Sequence, residues 1–268
     1  MLFRSACMRS IFVLGGLCLS LSAFAVLPGS ASDTNTSDFQ FVGQIGGASG
    51  VLVGNNTVIT AKHVGAGAFT LPGFGTFNVI SGSAVSDPNS DLTIFRIDVG
   101  SFVLPHATID VSPMIFGDTV TMVGYGLSGV LNGNGDGYDV NISGGVRRKG
   151  NAQYEFTDYI DEPGFLAGSS LIAPLRQNGQ AALAGGDSGG GWFRNGKLVG
   201  TNSFIGTYGN WVDFKFSNSN SDFFVSGAIS MAGNVQFLRD NNVAFVPEPA
   251  TFAVIGVGLL VLVRRRRK

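Results

Sequence analysis

What most constrains the fold is how the apolar residues are cut up. Along the chain they fall in short runs: FQFVGQI (39–45), GVLVG (50–54), TVITA (57–61), DLTIFRID (91–98), DTVTMVGYG (118–126), AQYEF (152–156) and GKLVGTNSF (196–204). Gly, Asn, Ser or Asp bounds these runs, and their β-branched and aromatic residues suit strands. Helical periodicity is scarce, with NVQFLRDN (234–241) the only late segment that reads as a helix. Regularly spaced short strands without βα alternation predict an all-β, antiparallel sandwich or barrel. With 40 glycines in 268 residues, a glycine turn by itself carries no functional information.

Both ends read as addresses. Arg4 and Arg9 precede an apolar run from Ile11 to Phe24 that ends in Ala23-Phe24-Ala25, the layout of a secretory signal cut after Ala25. A lipid-modified Cys18 is the weaker alternative, because Leu17 stands where that signal wants a small residue. At the other end Pro247-Glu248-Pro249 precedes the apolar stretch 250–263 and the basic tail RRRRK. Fourteen helical residues reach about 21 Å against a hydrocarbon core of about 30 Å, enough to cross only with help from the flanks. The basic tip would stay in the cytoplasm and leave the body outside.

This order resembles the PEP-CTERM sorting signal of Gram-negative exported proteins. The resemblance implies a transient inner-membrane anchor that an exosortase-type enzyme recognises and removes, leaving the protein extracellular or at the cell surface; an ordinary tail anchor is the alternative. Trimming both ends removes Cys7 and Cys18, so the mature body must be held by burial alone. Residues 26–249 carry ten Lys and Arg against eighteen Asp and Glu, a net charge of −8 that disfavours nucleic acid as a partner. Residues 26–37 read as a polar leader with nothing to bury.

The chemistry-bearing residues are few. His63 follows the apolar TVITA run directly, where a buried strand emerges into a loop, a natural position for a base. His106, in LPHAT, sits in a connection. Asp91 opens the alternating run Leu92–Ile97, and a carboxylate there can be held partly buried beside an imidazole. Asp87, in the turn-forming SDPNSD, is its rival. Ser188 lies in GGDSGGG (185–191).

In the order His63, Asp91, Ser188, the segments TAKHV, DLTIFRI and GGDSGGG each resemble one signature of the chymotrypsin (trypsin-like) serine protease family. That order differs from those of subtilisins and α/β-hydrolases. The resemblance implies two six-stranded antiparallel β-barrels over about 38–245, with the active site in the cleft between them. It makes His63 the general base, Asp91 its orienter and Ser188 the nucleophile, and gives the oxyanion to the backbone N–H groups of Gly186 and Ser188. No cofactor or metal is required; the partner is a protein or peptide substrate.

The chain departs from the family in three places. Asp187 precedes the nucleophile, where the family often pairs the acid with an amine freed by zymogen cleavage, yet no Ile-Val-Gly-Gly type start precedes Phe39. Val64 stands where a cysteine is common, and Gly191 where a proline is usual.

Ala182 falls at the floor of the family's specificity pocket, and Ser203-Phe204-Ile205 on its substrate-backbone strand. An uncharged floor narrowed by Ile205 implies small or medium apolar side chains before the cut. The stretch NGNGDGYD (132–139) offers Asn132, Asn134 and Asp136 in calcium-loop order but has Ser143 where position twelve needs an acid, so it reads as a turn. RRK (147–149) reads as a solvated face. A catalytically silent matrix-binding module, and an esterase with the same triad, are the competing functional readings.

Overall fold

A computed structural model of the chain describes residues 24–27, 30–31, 38–131, 138–175, 180–209, 213–215 and 224–246. Nearly all of the export leader, the calcium-like Asn132, Asn134 and Asp136, and the apolar tail 250–263 lie outside the described residues.

Two short segments, β1 (Phe24–Ala25) and β2 (Ser30–Ala31), come first. The next group is β3 (Val42–Ile45), β4 (Ala48–Leu52), β5 (Thr57–Ala61), β6 (Phe69–Leu71), β7 (Gly75–Phe77), β8 (Val85–Ser86) and β9 (Leu92–Arg96). The last group is β10 (Thr119–Gly124), β11 (Ser128–Leu131), β12 (Tyr138–Ile142), β13 (Arg148–Gln153), β14 (Phe156–Glu162), β15 (Phe165–Pro174), β16 (Gly191–Arg194), β17 (Lys197–Gly209), β18 (Asp213–Lys215) and β19 (Phe224–Ser230). A short helix, α1 (Val235–Asp240), follows where the NVQFLRDN pattern predicts one.

The pairings close two barrels. In the first, the order β7-β6-β3-β4-β5-β9 returns on itself: Ile80 donates to Arg96 O at 2.8 Å and Asp98 to Asn78 O at 2.9 Å, joining the end of β9 to the chain after β7. In the second, the order β15-β19-β17-β16-β10 is closed by β13 and β14, two halves of one run. The first half pairs with β10 and the second with β15. The predicted strand AQYEF is therefore split. Tyr154 still donates to Asp118 O beside β10, while Glu155 already donates to Ile172 O in β15. The result is an all-β, double antiparallel β-barrel.

Alternation along the strands explains how one chain fills three cores. Successive strand residues point to opposite faces, so Leu52, Val58 and Phe95 fill the first barrel while their neighbours Val51, Ile59 and Ile94 face outward. Those outward residues meet Val123, Ile172, Phe193 and Ile229 of the second barrel in one continuous core between the barrels. Leu238 of α1 joins it. Met122, Leu171 and Trp192 fill the second barrel. With both faces of β5 covered, TVITA is buried at all five positions and reads as an unbroken apolar run.

Two expectations need correction. The segment from Val26 is not without burial: Val26 and Leu27 are 0% and 2% exposed, and Leu27 forms an antiparallel bridge with Ala182. Their side chains are apolar and find room against the second barrel, which their polar surroundings in the sequence conceal. RRK is not a solvated face either. Arg147 and Arg148 are buried, and only Lys149 reaches outward, to Asp38 at 2.6 Å. Arg147 sits between the barrels, where it hydrogen-bonds the Tyr125 hydroxyl and donates to Val42 O at 3.5 Å.

Candidate active site

Strand register brings His63 and Asp91 together. In the β5–β9 ladder Ala61 faces Leu92, so residues just after β5 and just before β9 share one end of the first barrel. Lys62 N–H donates to Asp91 O at 3.1 Å, and His63 N–H to Asp91 Oδ1 at 2.9 Å. His63 Nδ1 then meets Asp91 Oδ2 at 2.7 Å. An ionised carboxylate only accepts, so this contact puts the proton on Nδ1 and leaves Nε2 as the acceptor a general base needs. The Asp91 side chain is 4% exposed and that of His63 40%, so the carboxylate is shielded from water while the imidazole stays accessible.

The rivals are occupied elsewhere. Asp87 caps its own turn, accepting from Asn89 N–H at 2.9 Å and Ser90 Oγ at 2.7 Å. His106 lies on the surface, its Nδ1 3.4 Å from Leu104 O.

Ser203 makes a contact that the sequence did not reveal. The β17–β19 register slips between Asn202 and Phe204, making Ser203 the bulged residue. A bulge re-aims a side chain. Here it sends the Ser203 hydroxyl to Asp91 Oδ2 at 2.6 Å, so the side chain braces the carboxylate that holds His63.

The turn carrying Ser188 is fixed from both barrels. Ser49 of β4 donates its N–H to Ser188 O at 2.9 Å and its hydroxyl to Gly186 O at 3.0 Å. Asn202 Nδ2 donates to Asp187 O and to Val123 O, each at 3.0 Å. Gly189 has φ +84°, and a Cβ there would strike Ser49 O and Thr60 Oγ1. Gly186, at φ +93°, would bring a Cβ within 2.8 Å of Gly47 O and 2.9 Å of Gly126 Cα. Only glycine meets both demands.

Within this turn Asp187 N–H is bonded to Ala184 O at 3.1 Å. Among the described residues no protein acceptor takes the N–H of Gly186 or Ser188, and no hydrogen bond joins Ser188 to His63. Catalytic hydrogen bonds commonly tighten only when substrate arrives.

Asp187 itself is fully buried. Gly126 N–H donates to Oδ1 at 2.8 Å and Ala184 N–H to Oδ2 at 2.9 Å, with the Val26 backbone N–H as a third donor. Burial still dominates: it pushes the carboxyl up to about 7, against these donors and the nearby Arg148 charge. The partner missing from the sequence reading is thus Val26, hidden because its segment looked like a leader.

Ala182 is 1% exposed and packs with Leu27, Ala184 and Ile205. The Phe204 ring lies against Gly227, where a Cβ would clash with it, and its centroid is 6.1 Å from that of Phe165. Phe165 in turn stands 6.1 Å from the His63 ring. Sequence reasoning passed over Ser49 and Phe165, which carry no motif.

The double β-barrel, with an Asp-bound imidazole at the rim of one barrel and a glycine-held serine turn braced by Ser49, has the fold and the residue types of a serine hydrolase. The trypsin family model matches residues 26–212, and the chain belongs to that family, which makes it a serine endopeptidase. Residues 245–268 match the PEP-CTERM protein-sorting motif. No curated protein matches the chain. Among solved structures it resembles mouse neuropsin, a serine protease expressed in the limbic system, at 16% identity and a TM-score of 0.53 over 80% of this chain and 99% of that one. It also resembles a serine-to-alanine mutant of Rv3671c from Mycobacterium tuberculosis in its inactive form, at 16% identity and a TM-score of 0.51, over 82% and 97% of the two chains.

Proposed function

We propose that the chain is an exported serine endopeptidase in which His63, Asp91 and Ser188 form the catalytic triad. The observation that carries this is the 2.7 Å contact of His63 Nδ1 with the buried Asp91, in a fold whose serine turn leaves the N–H groups of Gly186 and Ser188 unpaired among the described residues. A serine hydroxyl is a poor nucleophile without a base. His63 Nε2 takes the Ser188 proton as Oγ attacks the peptide carbonyl. The oxyanion forms against the N–H groups of Gly186 and Ser188, each worth about 3 to 4 kcal/mol in comparable sites. His63 then gives the proton to the leaving amine, leaving an acyl ester on Ser188. Water, deprotonated by His63, hydrolyses that ester and releases the new carboxyl end.

The specificity reading rests on the residue types at these positions. Ala182 and Ala184 offer no charge to a Lys or Arg side chain, while Ile205 and the Phe204 ring over Gly227 take up room. Small or medium apolar residues before the cut fit best. The apolar stretch 250–263 serves as a temporary inner-membrane anchor until an exosortase-type enzyme removes the tail. A peptide library given to the exported protein tests the specificity: enrichment of Ala, Val or Leu before the cut supports it, and a profile dominated by Arg contradicts it. Cleavage of model esters but of no peptide bond would transfer the triad to an esterase.

A further inference from the structure

The linker between the barrels carries the apolar row Pro113-Met114-Ile115-Phe116, and the fold leaves its last two members outside: Ile115 is 70% exposed and Phe116 76%. Single apolar side chains on a surface are ordinary, but two large ones side by side on a fixed turn ask for a partner. The turn is held from beneath. Ile115 N–H donates to Asp118 Oδ2 at 3.0 Å, and Asp118 N–H returns a bond to Ile115 O at 2.9 Å. Gly117, at φ +86°, donates to Tyr154 O at 2.9 Å. Met114 packs inward against the core of the second barrel, so the turn presents Ile115 and Phe116 and keeps the rest.

The chain leaves the body at the same place. Val246 forms a parallel bridge with Asp110 and donates its N–H to Ile109 O at 2.9 Å. One guanidinium ties this exit to the turn. Arg194 Nη2 donates to Asp110 Oδ2 and Ser112 O, each at 3.1 Å, and Nη1 to Pro113 O at 2.9 Å and Asp118 Oδ2 at 2.8 Å. The apolar stretch 250–263 begins four residues past Val246, within about 14 Å of extended chain. Fourteen apolar residues are short for a bilayer, and a short span keeps its flanks against the interface.

We propose that the Ile115–Phe116 turn is a membrane-docking element, which enters the outer leaflet of the inner membrane beside the tail for as long as the tail is attached. The inference rests on the tail-anchor reading above. Charge does not drive the contact: residues 26–249 carry ten Lys and Arg against eighteen Asp and Glu, a net charge of −8 that anionic lipid repels. Burial of two apolar side chains drives it instead, and the tail supplies the high local concentration that so small a patch needs. Even a single acyl chain binds a membrane only marginally and reversibly. Removing the tail therefore frees the turn along with it, and until then two attachments fix how the body sits on the membrane.

The test uses the full-length chain with Cys7→Ser, Cys18→Ser and Phe116→Cys, whose one thiol carries an environment-sensitive fluorophore. Uncharged-on-balance phosphatidylcholine vesicles, with and without a lipid-borne quencher, receive it. The chain is expected to float with the vesicles, and the probe to shift to the blue and be quenched from within the bilayer. Adding Ile115→Ser is expected to lower the ratio of inserted to water-exposed probe about 10-fold or more, the transfer loss of one such side chain. Both positions are exposed, so neither substitution removes a buried contact. A chain that floats with its probe in water, or a ratio that Ile115→Ser leaves unchanged, would overturn the docking and leave the anchor standing. A chain that does not float would overturn the anchor reading and the docking with it. A blue shift that needs no vesicles and grows with protein concentration would assign the turn to a second copy of the chain and overturn the proposal.

Discussion

The Ser203 hydroxyl donates to Asp91 Oδ2 at 2.6 Å, the same oxygen that meets His63 Nδ1 at 2.7 Å. One carboxylate oxygen thus orients the imidazole while being held from the second barrel. The two barrels are joined at Asp91 as well as through their shared apolar core.

Ser203→Ala should therefore lower kcat by about 10-fold with little change in KM. A hydrogen bond to a charged group is worth about 1.5 to 3 kcal/mol, and Asp91 keeps its bond from the His63 backbone. Steady-state kinetics on a peptide substrate read the split; a change confined to KM would contradict a role of the Ser203 hydroxyl through Asp91.

Asp91→Asn should lower kcat by about 10⁴-fold, the magnitude this substitution has in the enzyme class, because an amide can present a donor to Nδ1 and favour the wrong tautomer. Asp87→Asn should leave turnover close to wild type, since Asp87 only caps its own turn. The reverse ranking would reassign the orienter.

Gly189→Ala should destabilise the fold by more than about 3 kcal/mol, since it combines a left-handed φ with collision against Ser49 and Thr60. Gly196→Ala is the control: its φ is +76° but nothing lies within 4 Å, so only the conformational penalty of about 1 to 2 kcal/mol applies. Urea midpoints compare the two.

Asp187 gives the fold a pH signature. Its carboxyl, ordinarily at 3.8, is pushed up to about 7 by burial, so the folded state holds the proton more tightly than the unfolded one. Stability from this group is full below about pH 4, falls as pH rises towards about 7, and is then level, a loss of at most about 4 kcal/mol. Urea unfolding of the chain across this pH range, with and without Asp187→Asn, isolates that slope; a slope unchanged by Asp187→Asn would contradict it.

Much of this was legible in sequence, for identifiable reasons. TVITA and DLTIFRID read as strands because both faces of β5 and β9 are covered, and the residues that matter lie at their ends, where the run stops. GGDSGGG was legible because Gly186 and Gly189 answer a local steric demand. Val26, Ser49 and Ser203 were not legible as the contacts they make. Val26 reaches Asp187 from 161 positions away, and Ser203 reaches Asp91 only because a register slip turns it there. Arg147 misled for the same reason: its partners, Val42 and Tyr125, belong to the space between the barrels.

Ile205→Gly should widen acceptance before the cut, raising kcat/KM for Phe relative to Ala by about 10-fold or more, the scale of discrimination a few methylenes provide. An unchanged ratio would mean that Phe204 and Ala182 set the size limit.

The most direct test is fluorophosphonate labelling of the exported protein, with the modified residue located by mass spectrometry. The account predicts one adduct, on Ser188, present in wild type and absent from folded Ser188→Ala and His63→Ala. A folded wild type that takes no label, or an adduct on another residue, would contradict it.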